Sequence, residues 1–350
     1  MIKTEIIRAD ISDRNLTLKL SSAAEIIKNG GTVVFPTETV YGLGADGTNE
    51  VATSKIYEAK GRPSDNPLII HIADPCDAEK YAYTSETYYK IAGCFMPGPI
   101  TVIMPSKDSV PRKTRGGLDT VAVRCPSDPI AHELISLCGV AIAAPSANLS
   151  GSPSPTSVSH VINDMDGRVD VIIDGGDCDF GIESTIVRIC DDGSLLLLRP
   201  GKITPEDLEA HGFRIEIADA VTDKLKEGAA ALSPGMKYRH YAPKSPVVLL
   251  DGELEKCLTY VANDNKGKIA YIAYSEDIES VKDNLGDIKI FDFGPREDHT
   301  YQAHKLFSIL READGDSYDM IYAPLPPLYG IGLALYNRMI RAAAHKIIRL

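Results

Sequence analysis

The side chains best suited to chemistry gather in a few short runs in the first half of the chain. Lys60-Gly-Arg62-Pro63 sets an ammonium and a guanidinium two residues apart. In an extended segment such residues project to one side, and the pair suits phosphate oxygens, which a guanidinium grips with two parallel bonds. A solvated helix end, where cations are favoured by the dipole, accounts for the same residues. Asp65-Asn66-Pro-Leu-Ile-Ile-His71 places an amide before a buried strand and an imidazole at its far end. Thr120-Val-Ala-Val-Arg124 alternates, so Thr120, Ala122 and Arg124 share one strand face. A guanidinium there is costly unless it meets an anion or a partner carboxylate. Ala143-Ala-Pro-Ser146-Ala-Asn148-Leu-Ser150-Gly-Ser-Pro-Ser154 is a dense run of hydroxyls and amides just after a strand. Ligands bind at such loops in α/β folds, and small side chains let backbone N–H groups approach a phosphate; an ordinary polar loop has the same composition. Glu183-Ser184-Thr185 and Leu198-Arg199-Pro-Gly201 add a hydroxyl pair and a further guanidinium.

Two familiar nucleotide devices are not available. Gly42-Leu-Gly44-Ala-Asp-Gly47 fits the spacing GxGxxG, but Pro36-Thr-Glu-Thr-Val-Tyr41 separates it from the preceding strand, whereas a dinucleotide turn must join strand directly to helix. No GxxxxGK[ST] occurs either. Bound ATP would need another cradle.

The elements that must position these groups alternate between strand-like and helix-like apolar patterns, which points to an α/β class. An amphipathic helix over 16–29 stops at Gly30-Gly31 and leads into a strand over 32–35. A helix from about 49 ends at Gly61 and Pro63. A helix over 128–138 is closed by Gly139 and followed by a strand over 140–144, with further strands at 169–173 and 185–189. From 246 onward the rhythm is cleaner: strands at 247–250, 268–273, 288–293 and 320–323 alternate with helices, one of which shows Ala303, Leu306, Phe307 and Leu310 on one face. This predicts a smaller doubly wound, Rossmann-like α/β domain over 246–350, without a glycine turn for phosphate, after a catalytic domain over 1–214. The segment 215–245 reads as the connection. It ends in Ser233-Pro-Gly-Met-Lys-Tyr238-Arg-His240-Tyr241-Ala-Pro243, too rich in contact-making side chains for a passive linker.

Composition sets the outer limits. The 350 residues suggest two domains, and 44% hydrophobic with 25% charged residues suits a soluble globular protein. A net charge of -12 argues against a broad surface for duplex nucleic acid. The charged N-terminus, with no long apolar run behind it, predicts neither signal peptide nor membrane anchor, hence a cytoplasmic location. Seven cysteines without a CxxC pair read as reduced, mostly buried thiols, and the eight histidines show no metal-ligand spacing.

Taken in order, Phe35-Pro-Thr-Glu-Thr-Val-Tyr-Gly-Leu43, Lys60-x-Arg62, Asn66-Pro-Leu, Pro97-Gly-Pro-Ile-Thr101, Asp119-Thr-Val-Ala-Val-Arg124, Ala144-Pro-Ser-Ala-Asn148, Gly181-x-Glu-Ser-Thr185, Leu198-Arg-Pro-Gly201 and the Ser233-Pro-Gly-Met segment resemble the YrdC family of threonylcarbamoyl-AMP synthases in its long, two-domain form. The resemblance covers essentially the whole chain. It implies a twisted N-terminal α/β domain with a concave basic pocket, and an adenylyltransferase that joins L-threonine, bicarbonate and ATP with release of pyrophosphate. The product would serve N6-threonylcarbamoyladenosine formation at position 37 of ANN-decoding tRNAs. By matching positions, Lys60 and Arg62 would carry the chemistry, and together with Asn66, Thr120, Ser146, Ser154, Arg199 and Tyr238 would hold ATP. Thr39, His71, Arg124, Ala144, Asn148 and Ser184 would surround threonine, with Arg124 on its carboxylate. Mg2+ would accompany the triphosphate, with no dedicated carboxylate cage in the protein. Tyr238, His240 and Tyr241 would form a lid that excludes water from a labile adenylate. The implied partners are the small substrates and a downstream threonylcarbamoyl transferase complex, with tRNA involved at most indirectly and no membrane.

Two other readings use the same pocket: an RNA-binding translation or ribosome-associated factor without catalysis, and a carbamoyl transferase of hydrogenase maturation. The acidic total disfavours the first; the second calls for zinc-type cysteine pairs and extra domains, which this chain lacks.

Overall fold

The computed structural model describes residues 2–224, 241–264 and 267–350. They fall into two compact units: 2–150 with 154–221, and 241–350 with 151–153 and 222–224. Among the described residues no helix is long and apolar enough to cross a membrane.

The first unit is built on one sheet whose strands, in chain order, are β1 (Glu5–Arg8), β2 (Val33–Phe35), β3 (Gly42–Asp46), β4 (Ile69–His71), β5 (Ile100–Pro105), β6 (Thr120–Arg124), β7 (Ile142–Ala143), β8 (Val171–Asp174), β9 (Thr185–Ile189), β10 (Leu195–Arg199) and β11 (Ile215–Ile217). Across the sheet they run β1-β8-β2-β3-β7-β4-β6-β5-β9-β10-β11. Parallel and antiparallel neighbours are mixed: β4 and β6 are parallel, β5 and β6 antiparallel, β5 and β9 parallel. The middle strands are short and apolar on both faces, as strands covered on both sides must be. One cover is the helix Leu16–Lys28, whose Leu20, Ala23, Ala24 and Ile27 recur at helical spacing and are buried. It packs with the helix Pro129–Cys138 over β2, β7 and β8 in a core that includes Phe35, Leu134, Ile142 and Ile173. Asp128 caps that second helix, its Oδ1 accepting from Ala131 N at 2.8 Å.

Two expectations, on residues 215–217 and on Lys60 with Arg62, need correction. The GxGxxG segment, set aside above as a dinucleotide turn, is strand: 42–46 is β3, antiparallel to β2. Glycine is a poor strand former, but a Cβ on Gly44 would stand 2.7 Å from both the Phe35 ring and Ile142, so close packing selects it. Residues 215–217 are not connection. They pair with Leu195–Leu197 as the edge strand of the first sheet, and the first unit continues to Val221. Lys60 and Arg62 do not share an extended segment, because Lys60 ends the helix Glu50–Lys60 and Gly61 turns left-handed at φ 60°.

The second unit carries a sheet of β12 (Val247–Asp251), β13 (Ile269–Ala273), β14 (Lys289–Asp292), β15 (Met320–Pro324) and β16 (Ile347–Arg349), in the order β14-β13-β15-β12-β16 and parallel throughout. The helices Leu254–Ala262 and Ile278–Leu285 pack on one face of this sheet against Leu250, Tyr271 and Tyr322. Alternation along the strands leaves Leu249, Ile272 and Ile321 for the opposite face. The doubly wound expectation holds in kind, with one difference in detail: β15 lies between β12 and β13, so the order is neither of the two common doubly wound orders. The last strand, 347–349, follows a helix so closely that its apolar pattern merges with the helical one.

Tyr241 belongs to this unit. It is buried, stacked on Phe307 with ring centroids 5.3 Å apart, and has the Arg338 guanidinium 5.8 Å from its ring. The ring expected in a lid is therefore packed as an anchor. Tyr238 and His240, the other two lid residues, lie outside the described residues.

Candidate active site

The register of three adjacent strands assembles the centre of the site. Thr101 of β5 pairs with Arg124 of β6, and Arg124 pairs with His71 of β4. Residues paired across neighbouring strands point to the same face of a sheet, so a hydroxyl, a guanidinium and an imidazole stand in a row. All three are buried. Thr101 Oγ1 lies 2.8 Å from Ser184 Oγ, and Arg199, at the end of β10, donates from Nη2 to Ser184 Oγ at 3.1 Å and from Nε to Ser184 O at 3.0 Å. Arg124 donates from Nη2 to Thr39 Oγ1 at 2.9 Å, and Thr39 Oγ1 lies 2.9 Å from Thr37 Oγ1. Two bonded groups, Arg124 with Thr39 and Arg199 with Ser184 and Thr101, are thus set side by side in the first unit by the pairing of Thr101 with Arg124.

The requirement that Arg124 meet an anion or a carboxylate is satisfied from within the chain. Glu38 Oε1 lies 2.8 Å from Arg124 Nη2, with both side chains buried. Sequence reasoning quoted Glu38 in its motif and gave it no role. The fold shows what the sequence did not, that 32–45 is buried at every residue, and so buried a carboxylate needs a cation. Thr101 was missed for the same reason, as a hydroxyl inside an apolar strand.

His71 is neutral. Burial, with the Arg124 charge adding to it, pulls its pKa down to about 3. Its Nδ1 has no hydrogen-bond partner among the described residues. The nearby thiols are not nucleophiles at neutral pH: burial pushes Cys125 up to about 12 and Cys178 higher still.

The second half of the site is the loop after β7. Ala144 N donates to Ile69 O at 2.9 Å, Leu43 N to Pro145 O at 2.9 Å and Ala147 N to Tyr41 O at 2.8 Å, which pins the loop beside the segment carrying Thr39. Lys60 reaches into this loop. Its Nζ donates to Ser146 O and, at 2.6 Å, to Asn148 O, while Ser146 Oγ donates to Asn148 Oδ1 at 2.5 Å. Arg62 instead turns to its own segment, with Nη2 donating to Pro67 O at 3.0 Å. The two cations therefore bracket the loop and the Asn66 turn rather than standing side by side. Asn66 is 1% exposed, and neither its amide oxygen nor its amide nitrogen has a partner among the described residues. Ser154 is buried with its hydroxyl on Glu183. Thr120 is half-buried at the opposite end of β6 from Arg124, about 13 Å away at strand rise. Tyr238 lies outside the described residues.

Four cations (Lys60, Arg62, Arg124, Arg199) against two carboxylates (Glu38, Glu183), all buried, leave an excess of positive charge suited to a polyphosphate. Buried amide and imidazole atoms without partners are rare in a finished core, and mark places where a ligand completes the hydrogen bonding.

Known proteins resemble this chain over nearly its whole length. The Sua5/YciO/YrdC family model, described as Telomere recombination, matches residues 25–201, and a model described as Threonylcarbamoyl-AMP synthase, C-terminal domain, matches residues 203–344. A Bacillus subtilis protein named threonylcarbamoyl-AMP synthase is 40% identical, over 99% of this chain and 100% of its own. One of the same name from Schizosaccharomyces pombe is 33% identical, over 96% of this chain and 91% of its own. The crystal structure of Pyrococcus abyssi Sua5 complexed with L-threonine matches with a TM-score of 0.90 at 41% identity, covering 99% of this chain and 100% of that one. The chain belongs to the Sua5/YciO/YrdC family and carries that family's threonylcarbamoyl-AMP synthase C-terminal domain.

Proposed function

We propose that this protein is an adenylyltransferase that makes L-threonylcarbamoyl-AMP from L-threonine, bicarbonate and ATP with release of pyrophosphate, the first step of N6-threonylcarbamoyladenosine formation in tRNA. The observation that carries this reading is the pair of buried polar groups, Arg124 on Thr39 and Arg199 on Ser184, set side by side by the pairing of Arg124 with Thr101, while the Asn66 amide and His71 Nδ1 lack partners among the described residues. Its relatives share the reading by name over nearly their full length. The rival of a non-catalytic RNA-binding factor has no comparable support.

In this scheme threonine lies over the row formed by His71, Arg124 and Thr101, close to Thr39, Ala144 and Ser184. Its neutral amine and bicarbonate condense, by way of CO2, to a carbamate and water, and the carbamate oxygen attacks the α-phosphorus of ATP as pyrophosphate departs. Such transfer needs positioning and charge neutralisation more than covalent help. Arg199, anchored twice on Ser184, and the Lys60-held loop supply the positive field and backbone donors for the nucleotide. Asn66, Thr120, Ser146 and Ser154 line its path, and Asn148 keeps the loop closed on Lys60. Mg2+ arrives with the triphosphate as part of the substrate. His71 stays uncharged and serves as a hydrogen-bonding group. A threonylcarbamoyl transferase is the natural consumer of the product, and the seven free cysteines suit the reducing cytoplasm.

The test is pyrophosphate release by the purified full chain with each reagent omitted in turn. Release should require threonine, bicarbonate and ATP together, and K60A/R62A should lower it at least a hundredfold. Release that is independent of threonine, or a double variant as fast as wild type, would refute the assignment.

A further inference from the structure

A carboxylate stands inside a pocket that otherwise offers cations, hydroxyls and an imidazole. Glu38 is 8% exposed. Its Oε1 lies 2.8 Å from Arg124 Nη2 as an ion pair, and neither carboxylate oxygen has a hydrogen-bond partner among the described residues. Arg124 is divided: Nη2 serves Glu38 and Thr39, and the buried Nε has no hydrogen-bond partner among the described residues. A buried ion pair is favourable only when its remaining lone pairs and protons are also matched. Here both carboxylate oxygens and one guanidinium nitrogen are left without a hydrogen bond.

The backbone holds Glu38 in place. Phe180 N donates to Glu38 O at 2.9 Å and Gly181 N to Thr39 O at 3.1 Å, while Thr37 Oγ1 accepts from the backbone N–H groups of Thr39 and Val40 at 3.2 Å each. The carboxylate is thus presented by a segment tied down on both sides.

We infer that Glu38 is the counter-charge for the α-ammonium group of the amino-acid substrate, with Arg124 taking its α-carboxylate. The pocket then recognises a zwitterion rather than a carboxylic acid. An ammonium group hydrogen-bonded to a carboxylate makes the stronger, charge-assisted bond. Once the ammonium has passed a proton to the Glu38 carboxylate, the same contact aims the neutral amine nitrogen that captures CO2. This assignment rests on the function proposed above.

A purely structural ion pair would behave differently, because its loss would disturb every ligand of the pocket alike. The discriminating experiment is calorimetric titration of full-length wild type and E38Q with L-threonine and with (2S,3R)-2,3-dihydroxybutyrate, which has a hydroxyl in place of the ammonium. Wild type should prefer threonine by at least tenfold. In E38Q threonine should weaken at least tenfold while the hydroxy acid stays within twofold of its wild-type affinity. Equal weakening of both ligands, or unchanged threonine affinity, would overturn the assignment. Should E38Q fail to fold, E38D decides by the same comparison: selective loss of threonine supports it, parallel loss overturns it. A wild type that binds no threonine removes the proposed function together with this inference, whereas a wild type that binds and turns over beside an indifferent E38Q removes only the inference.

Discussion

Replacing Gly201 by alanine should damage the site without touching a residue that contacts substrate. Gly201 has no left-handed φ to require a glycine; it is needed because two chain segments pass close together. A Cβ there would lie 2.5 Å from Thr185 N, 2.8 Å from Glu183 O and 2.8 Å from Thr185 Oγ1. The first two are backbone atoms with no rotamer to change, and the chain segments must separate by about 1 Å to restore van der Waals contact. The segment pushed away is 183–185, which carries Ser184, and the segment doing the pushing carries Arg199 two residues earlier. Their bonds at 3.0 and 3.1 Å would therefore stretch or break. Overpacking of this kind costs about 1–3 kcal/mol of stability, and misplacing a positioned group by about 1 Å costs roughly a hundredfold in rate. Steady-state pyrophosphate release should show kcat/KM down by about that factor, and a denaturant melt should show the stability loss. Gly93 is the control: it is exposed in the helix Glu86–Phe95, with nothing within 4 Å of an added Cβ. G93A should stabilise by about 0.5–1 kcal/mol, with unchanged kinetics. A G201A enzyme with wild-type kinetics and wild-type stability would show that the contact between these segments does not position Ser184 or Arg199.

Other consequences can be measured directly. Burial, followed by the repulsion from Glu38, raises the Asp128 carboxyl to about 6, so the native state holds more protons than the unfolded chain between about pH 4 and pH 6, and stability falls as pH rises through that window. D128N keeps an acceptor for the helix cap and should be more stable than wild type by about 2–3 kcal/mol at pH 8; a gain that does not shrink toward pH 4 in urea melts would contradict this origin. His71 has the opposite sign: its folded-state pKa is depressed to about 3, so its contribution is intact above about pH 6.5 and is lost as pH falls toward 3. Its ring resonances, assigned with H71Q, should not move between pH 5 and 8, and a midpoint inside that range would be inconsistent with the burial described. R199K keeps the charge but cannot make both bonds to Ser184, and should lower kcat/KM by about tenfold to a hundredfold at roughly 1.5–3 kcal/mol per charged hydrogen bond; wild-type kinetics would mean that charge alone suffices there.

Legibility from sequence followed the physics of each feature. Strands such as Thr120–Arg124 and Thr185–Ile189 could be bounded to the residue because apolar alternation and β-branched side chains agree with burial. Helix ends at Gly61 and Gly139 were readable because a left-handed stop is chemically distinctive. The strand Gly42–Asp46 was not, since its glycines answer to tertiary crowding and contradict local propensity. Thr39, Ser184 and Arg199 could be named in advance, but not that they would be joined through Arg124 and Thr101, because that junction depends on strand order, and β5, β6 and β9 are neighbours in space rather than in sequence. The partner of Arg124 was hidden in plain view: Glu38 is a single acid among hydroxyls, and only its proximity reveals what it does.

The strand order of the second unit bears on how the polypeptide can fold as it leaves the ribosome. β12 is the earliest strand of its sheet, yet its two neighbours are β15 and β16, the last to be synthesised. Until roughly seventy to a hundred further residues have emerged, the apolar run 247–250 has no native edge to pair with, the kind of exposed segment that chaperones bind and that aggregates when they do not. A stop codon anywhere between residues 251 and 319 would leave that strand unpaired on both sides, whereas the sheet of the first unit would already be complete.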